Sequence, residues 1–145
     1  MLFRSIGEAN AEKIKIEAGV ATETANGKAV DVQIRGRDLK RGSPTEIVLR
    51  PTDIAHALSD TIDTIAEVIA RTLEQLPPEL SADIVDRGIC LTGGGALLDK
   101  LDLELQRRTG VHFFMAPKPL QSVVLGCGLV LEHRSEFSDF LITPH

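Results

Sequence analysis

Three consecutive glycines are the feature of this sequence that most suggests ligand chemistry. Gly93, Gly94 and Gly95 follow an apolar run and precede Ala96 and a leucine-rich helical pattern. Glycine has no Cβ, so the run lets a ligand approach the backbone closely, and a helix start offers unpaired amides to a phosphate or ribose. The motif lacks the spacing and the lysine of the familiar phosphate loops. A nucleotide-binding turn and a tight packing turn are therefore both open interpretations.

A second candidate site is one face of a predicted helix near the start of the chain. A helix from Ile6 to Ile16 places Glu8, Ala11, Glu12 and Lys15 on one face, because they lie at positions i, i+3, i+4 and i+7. A carboxylate and an ammonium group around a small residue could hold ribose hydroxyls and leave room for a purine. The same spacing also gives an ordinary helix-stabilising ion pair, worth about 0.2–0.5 kcal/mol.

The elements that position these motifs begin with that helix, which we expect to end at Gly19. The small, polar residues 18–29 then predict a surface loop. Strict alternation of apolar and polar residues at 30–35, and again at 46–50, predicts a half-buried pair of β-strands.

A long helix is the most regular element of the sequence. Pro51 suits its start, with Thr52 as the N-cap and Asp53 in the first turn, and Pro77 and Pro78 must end it. Apolar residues recur along it at spacings of three and four, which predicts a core-facing stripe. The stripe comprises Ile54, Leu58, Ile62, Ile65, Val68, Ile69, Leu73 and Leu76.

The last part of the chain reads as strand, glycine turn, helix, strand and helix. A short helix at 79–85 precedes a buried strand at 88–92, and Gly110 ends the helix that follows the glycines. A strand at 111–114 and a helix at 119–132 complete the order. This order predicts a parallel strand pair with a right-handed crossover, hence a mixed α/β fold. We expect a smaller subdomain at residues 1–50 and a larger one at 51–145.

Composition excludes several functional classes. The 145 residues suit one ordinary domain, and a net charge of -5 with five Phe, no Trp and no Tyr argues against a nucleic-acid partner. The basic cluster of Arg35, Arg37, Lys40 and Arg41 is interpreted as solvated turn charge. No secretory leader or membrane-spanning run is predicted, so we expect a cytoplasmic chain.

The remaining reactive residue types form no catalytic pattern. Cys90 and Cys127 lie in apolar runs and are expected to be buried, free thiols. The four histidines, His56, His112, His133 and His145, have no metal-ligand spacing. No nucleophile elbow is present. The sequence therefore predicts no catalytic residue and no metal ligand.

Four stretches together resemble one known family. IGEANAEKIKIEAG, VDVQIRGRDLKRGSPTEIVL, PPELSADIVDRGICLTGGGALLDKLD and PLQSVVLGCGLVLE are similar to the C-terminal part of the MreB family of bacterial actins, which set rod cell shape. The resemblance covers essentially the whole chain. The stretch that contains the three glycines is the most specific, because many consecutive positions match without gaps.

The resemblance implies a partial actin-like second domain: a small β-hairpin and helix subdomain plus the β-α-β closing part of a larger one. Complete family proteins bind ATP with Mg²⁺ in a cleft between two α/β domains. The adenosine-facing residues implied in this chain are Glu8, Ala11, Glu12, Lys15, Gly93, Gly94, Gly95 and Ala96. The resemblance also implies self-association into membrane-associated filaments, or with a full-length homologue, and contact with the cell-wall elongation machinery.

The family features missing from these residues define the alternatives. The family's two phosphate loops, its catalytic carboxylate and its membrane-inserting segment lie upstream of the resemblance, so we expect weak or no nucleotide binding, and no hydrolysis, by this chain alone. Missing strands would also leave a sheet edge that invites association. One alternative is a truncated, nucleotide-independent module that modulates filaments of a full-length relative. Another is half of a superfamily kinase or chaperone ATPase, against which RGRDL and PPEL argue.

Overall fold

Two small sheets and five helices make up the computed structural model, which describes residues 4–22, 31–38 and 42–138. The first sheet is antiparallel with strand order β1–β2–β3, and the second is the parallel pair β4–β5. The strands are β1 (Arg4–Ser5), β2 (Val32–Asp38), β3 (Pro44–Leu49), β4 (Ile89–Leu91) and β5 (Phe113–Met115). The helices are α1 (Glu8–Ala18), α2 (Pro51–Glu74), α3 (Pro78–Arg87), α4 (Leu101–Thr109) and α5 (Ser122–Glu132). The predicted mixed α/β fold and the parallel pair are confirmed.

The β2–β3 hairpin has the half-buried alternation that the sequence predicts. Arg35 pairs across the strands with Glu46, with Nε 2.7 Å from Oε1, and the Nε of Arg37 donates to the carbonyl of Gly42 at 3.2 Å. Both arginines are exposed, which agrees with solvated charge. Lys40 and Arg41 of the predicted basic cluster lie outside the described residues.

Helix α2 begins at Pro51 as predicted, which is two residues earlier than a Thr52 cap requires, so the Thr52 cap is wrong. Pro51 occupies the first helical position, where its missing N–H is not needed, and Arg50 is therefore the N-cap residue. The Asp53 carboxylate accepts the backbone N–H of Arg50 at 2.9 Å, as the acidic member of a capping box does.

The core lies where α2, α4 and β5 meet. Its buried members are Ala21, Ile62, Ala66, Leu101, Leu105 and Phe113. Ile65 and Val68, placed in the core stripe by spacing, are instead 41% and 58% exposed. They lie beside the line of Ile62 and Ala66 on the helix surface. No described element covers that side of α2 enough to bury them.

Strand β4 and both cysteines are less buried than their apolar surroundings predict. Ile89 and Leu91 pack against the core with Phe113, but Cys90 and its cross-strand neighbour Phe114 occupy the opposite, exposed face of the sheet. Cys127 on α5 is also exposed. The expectation of buried thiols is wrong because the described chain provides no second layer over these surfaces.

The segment after α1 is also more buried than a surface loop. Gly19 ends the helix as predicted, since its N–H donates to the carbonyl of Lys15 at 3.0 Å. Val20 and Ala21, however, are 1% and 4% exposed. They continue into the core rather than into solvent, so the loop prediction is wrong for them. Residues 23–30 lie outside the described part of the chain.

Candidate functional site

Helix α1 contains all four residues of the first candidate motif. The Nζ of Lys15 lies 2.6 Å from Oε2 of Glu12, and both side chains are about half exposed, at 48% and 55%. Glu8 and Ala11 are exposed as well. The helix therefore forms the ion pair that its spacing predicts and presents the pair to solvent.

A cavity of about 380 Å³ separates one part of this face from α2. Ala11 and Lys15 line it, together with Leu49 of β3 and Leu58 of α2, and most of its lining is apolar. Glu8 and Glu12 are not among the lining residues. The structure therefore divides the predicted face into a cavity-facing pair and a solvent-facing pair of carboxylates.

The three glycines form a turn that is fixed at both ends. Gly93 has a φ of 82°, which only glycine adopts readily, and its N–H donates to the carbonyl of Pro119 at 2.9 Å. A single 3-10 turn, Gly94–Leu97, follows, and the N–H of Leu98 closes it on the carbonyl of Gly95 at 3.1 Å. Backbone geometry alone therefore explains the glycine at position 93.

The glycine turn does not open an α-helix, which corrects the expectation from sequence. Lys100 interrupts the chain with a left-handed φ of 60°, and α4 begins only at Leu101. One 3-10 turn does not align enough peptide dipoles to act as a helix N-terminus. Any ligand at this turn would be held through close backbone approach rather than through a helix dipole.

The space around the glycines distinguishes between a nucleotide-binding turn and a tight packing turn. Within the described part of the chain, a Cβ built on Gly95 meets no heavy atom within 4 Å. A Cβ on Gly94 meets only ordinary van der Waals contact, 3.6 Å from Cδ2 of Leu120. Ala96, in contrast, is 9% exposed. Internal packing therefore does not require glycine at positions 94 and 95, and a tight packing turn does not account for them.

The structure joins the two candidate motifs at their C-terminal ends, which the sequence does not reveal. The N–H of Ala21 donates to the carbonyl of Asp99 at 2.9 Å, and Val20 forms a parallel bridge with Asp99. A Cβ on Gly19 would lie 2.2 Å from the carbonyl oxygen of Lys15 and 2.8 Å from Cδ1 of Leu98. The end of α1 thus passes directly against the segment that follows the glycine turn.

A buried charge cluster connects α2 with α4 and was also missed from the sequence. Glu104 is 5% exposed and accepts hydrogen bonds from Arg107, at 2.7 and 3.0 Å, and from Nε of Arg108 at 2.8 Å. Arg108 also pairs with Asp63 and donates to the carbonyl of Ser59 at 3.4 Å. The hydrogen bonds from Arg107, followed by those from Arg108, lower the pKa of Glu104 despite its burial.

The charges of this cluster balance, with two arginines facing Glu104 and Asp63. A cavity of about 330 Å³ adjoins it and is lined in part by Thr22, His56 and Ser59. Because the guanidinium groups are occupied by carboxylates of the same chain, the cluster serves to hold α2 against α4. It offers no surplus charge for a ligand.

Two further expectations from the sequence concern metal ligands and membrane-spanning helices. Among the described residues, no group of three or more His, Cys, Asp or Glu side chains could hold a metal ion. No helix in residues 4–22, 31–38 or 42–138 is long and apolar enough to cross a bilayer.

Comparison with known sequences gives one consistent family. The family model described as MreB/Mbl protein matches residues 3–139. The chain is 41% identical over 131 residues to the cell shape-determining protein Mbl of Bacillus subtilis strain 168, a match that covers 90% of this chain and 39% of that protein. It is 42% identical over 127 residues to the cell shape-determining protein MreB of Escherichia coli K12, covering 88% of this chain and 36% of that protein.

Solved structures agree with the sequence matches. MreB5 of Spiroplasma citri bound to ADP superposes with a TM-score of 0.82 at 28% identity, covering 94% of this chain and 40% of the other. The same protein bound to AMPPNP also gives 0.82 at 28% identity, covering 94% and 41%. The chain thus spans about two fifths of the length of the relatives it matches.

Proposed function

Because this chain belongs to the MreB/Mbl family, we propose that it forms part of an actin-like filament protein that determines rod cell shape, and that it supplies the adenosine side of an ATP site. The nucleotide-facing residues would be Glu8, Ala11, Glu12, Lys15, Gly93, Gly94, Gly95 and Ala96. Family membership makes half of a sugar kinase or chaperone ATPase the weaker alternative. The division into subdomains at 1–50 and 51–145 is part of the same proposal.

The observation that carries the nucleotide role is the open space at the glycine turn. Gly94 and Gly95 are exposed, and packing within the described chain does not explain why they lack side chains. Glycine that is required neither by φ nor by internal packing is typical of close approach by another molecule. A nucleoside fits that requirement, and one similar protein was crystallised with ADP and with AMPPNP.

The link between α1 and the glycine turn supports a shared site. The Ala21–Asp99 hydrogen bond fixes the end of the helix that carries Glu12 and Lys15 against the segment after the turn. Ribose hydroxyls are suited to a carboxylate and an ammonium group, whereas a flat base is suited to exposed glycine backbone. These two surfaces together form one wall of a site rather than a closed pocket.

A one-walled site predicts weak binding by the chain alone. Glu12 and Lys15 are half exposed, so water competes for their hydrogen bonds. We propose that ATP with Mg²⁺ binds the complete family protein, whose remaining parts supply the phosphate and metal contacts. Hydrolysis by these 145 residues alone is not part of the proposal.

The test is an amide correlation spectrum of the 145-residue chain, titrated with ADP and with ATP in the presence of Mg²⁺. We expect the amides of Glu12, Lys15, Gly94 and Gly95 to shift in the same concentration range. Gly95→Val should abolish these shifts while preserving the dispersion of the spectrum, because its side chain enters open space and blocks approach to the backbone.

Gly128→Val is the matched control, since a Cβ at that position of α5 also meets no heavy atom within 4 Å of the described chain. This variant should titrate like the unmodified chain. A dispersed spectrum that does not respond to either nucleotide would contradict nucleotide binding by this chain. Equal loss of response in the two variants would contradict the assignment of the site to the glycine turn.

A second candidate function is a nucleotide-independent module that modulates filaments of a full-length relative. The exposed apolar surface of α5 favours it, because such a surface is available for contact with another protein. The chain would then change the polymerisation of an intact MreB or Mbl at a substoichiometric ratio. Light scattering that is unchanged across a titration from one part in fifty to equimolar would remove this candidate.

The partners proposed for the complete protein follow from the family. They are other copies of the protein, which together form a filament, and the cell-wall elongation machinery. The filaments would lie along the cytoplasmic face of the membrane. Nucleic acid is not among them, since the net charge of -5 repels a phosphate backbone.

A further inference from the structure

Leu98 is the residue at which three parts of the fold meet. Its N–H donates to the carbonyl of Gly95 at 3.1 Å and so closes the glycine turn. Its carbonyl accepts the N–H of Leu101 at 3.1 Å, at the start of α4. Its side chain packs against the core and reaches Gly19 at the end of α1. One residue therefore links the glycine turn, α4 and α1.

The contact between Leu98 and α1 is close because residue 19 has no side chain. Gly19 has a φ of -65°, which any residue adopts, so its φ does not require glycine. A Cβ at this position would lie 2.8 Å from Cδ1 of Leu98, which is closer than real Cβ atoms approach a neighbour. The methyl group of Leu98 therefore occupies space that a side chain at residue 19 would need.

The part of α1 that lies beside Leu98 is the turn that begins at Lys15. The carbonyl of Lys15 accepts the N–H of Gly19 at 3.0 Å, so these two residues move together. The ammonium group of Lys15 is paired with Glu12, one turn earlier on the helix. The position of the Leu98 side chain thus affects how far this ion pair lies from the glycine turn.

We propose that Leu98 is a positioning residue of the adenosine site, where it sets the spacing between Glu12 and Lys15 on one side and Gly94 and Gly95 on the other. The inference rests on the proposed nucleotide role of these residues. Leu98 acts through α1 and does not itself contact the nucleotide.

This spacing matters most for the ribose hydroxyl groups. A nucleoside that spans both surfaces places its base against the glycine backbone and its hydroxyl groups near Glu12 and Lys15. Hydrogen bonds weaken steeply when their distance and angle change, whereas the base stays with the turn. A shift of α1 relative to the glycines therefore removes recognition of the hydroxyl groups before it removes recognition of the base.

The first measurement compares ADP with 2′,3′-dideoxy-ADP, which lacks both ribose hydroxyl groups. The amides of Gly94 and Gly95 are followed in titrations of the 145-residue chain with Mg²⁺. We expect the unmodified chain to prefer ADP by about tenfold, the size of one hydrogen bond to a charged group. Leu98→Ala should lose this preference, because its affinity for ADP falls to that for dideoxy-ADP while its affinity for dideoxy-ADP is unchanged.

Conservative variants and a matched control separate positioning from general packing. Leu98→Met keeps most of the side-chain volume and should restore the preference for ADP. Leu98→Val removes one methylene group and should give an intermediate preference if Leu98→Ala does not fold. Leu103→Ala on α4 removes the same atoms from a leucine that is 57% exposed, and it should bind both nucleotides like the unmodified chain.

The second measurement determines the spacing without nucleotide. A nitroxide is attached at Glu17→Cys on α1, where the side chain is 58% exposed, in a chain that also carries Cys90→Ser and Cys127→Ser. Paramagnetic broadening of the Gly95 amide then reports the distance between α1 and the glycine turn. We expect the broadening to weaken when Leu98→Ala is added and to be preserved with Leu98→Met.

Four results would overturn one of the two proposals, and they can be told apart. Equal weakening of ADP and dideoxy-ADP by Leu98→Ala would make Leu98 a packing residue only. Unchanged broadening at Gly95 in that variant would show that Leu98 does not set the spacing. Equal affinity of the unmodified chain for the two nucleotides would exclude recognition of the hydroxyl groups. Absence of any response to ADP would instead contradict the proposed function, and the broadening would still decide whether Leu98 positions α1.

Discussion

Helix α4 alternates leucines with charged and polar residues and helix α5 is apolar along almost its whole length, yet only α4 contributes leucines to the core. Leu105 of α4 is 1% exposed because α2 and β5 pack against it, whereas Leu129 of α5 is 51% exposed. Nothing in the local composition of α5 distinguishes it from a core helix. The difference shows that an apolar pattern does not by itself bury a helix, because burial also requires a facing element in the described chain.

The test with the largest expected change in the free energy of unfolding replaces one leucine in each helix by alanine. Leu105→Ala should lower the free energy of unfolding by about 2–5 kcal/mol, because it opens a cavity in the core. Leu129→Ala should change it by less than about 0.5 kcal/mol, as expected at an exposed position. Urea denaturation followed by circular dichroism measures both. Equal costs would mean that α5 is packed in solution.

A second test compares Glu104 of the buried charge cluster on α4 with Glu132 of α5. Glu104→Gln should cost about 1.5–3 kcal/mol, because Arg107 and Arg108 lose charge-assisted hydrogen bonds to a carboxylate that is 5% exposed. Glu132→Gln on α5 should be neutral to within about 0.5 kcal/mol. The same denaturation experiment applies. A neutral Glu104→Gln would show that the buried cluster does not stabilise the α2–α4 contact.

A third test compares two glycines. Gly19→Ala should cost about 1–3 kcal/mol, since a Cβ there lies 2.2 Å from the backbone carbonyl oxygen of Lys15, which cannot rotate away. Gly128→Ala in α5 should instead stabilise the chain by up to about 1 kcal/mol, because open space surrounds it and alanine favours helix. Thermal unfolding of the two variants should therefore shift in opposite directions. Shifts of the same sign would contradict the close approach of Gly19 to the carbonyl oxygen of Lys15.

The smallest expected effect is a pH dependence that arises from the buried region. Folding lowers the pKa of Glu104, so its contribution to stability is complete above the ordinary glutamate range and is lost as the pH falls through the lowered value. Between about pH 5 and about pH 2, the unmodified chain should lose more stability than Glu104→Gln does. Parallel curves for the two proteins would indicate that Glu104 is not ionised in a paired state.

Sequence reasoning located the elements well wherever local chemistry decides them. Pro51, Pro77 and Gly110 mark helix boundaries through fixed φ, missing amides and a left-handed cap. Alternation located the β2–β3 hairpin because one face of each strand is half buried. The mixed α/β fold and the family were likewise predictable, since long motifs carry the resemblance.

Properties that depend on distant contacts could not be read from local patterns. The burial of Val20 and Ala21 depends on Asp99, which lies about eighty residues further along the chain. Exposure of Ile65 and Cys90 depends on which surfaces the described chain covers. The proposed adenosine site has the same character, because it joins α1 to a glycine turn far away in sequence. Spacing left each half open to a second interpretation and the family resemblance paired them, whereas the backbone contact between α1 and the segment after the turn is visible only in the tertiary structure.

The backbone bridge at Asp99 acts as a mechanical tether. Only Gly19 and Val20 separate the end of α1 from Ala21, so movement of this end of the helix away from the segment after the glycine turn strains the hydrogen bond from the N–H of Ala21 to the carbonyl of Asp99. Exchange of the Ala21 amide with deuterated solvent therefore times the opening of this joint. The exchange rate of this one amide thus reports how often the end of α1 and the segment at Asp99 separate.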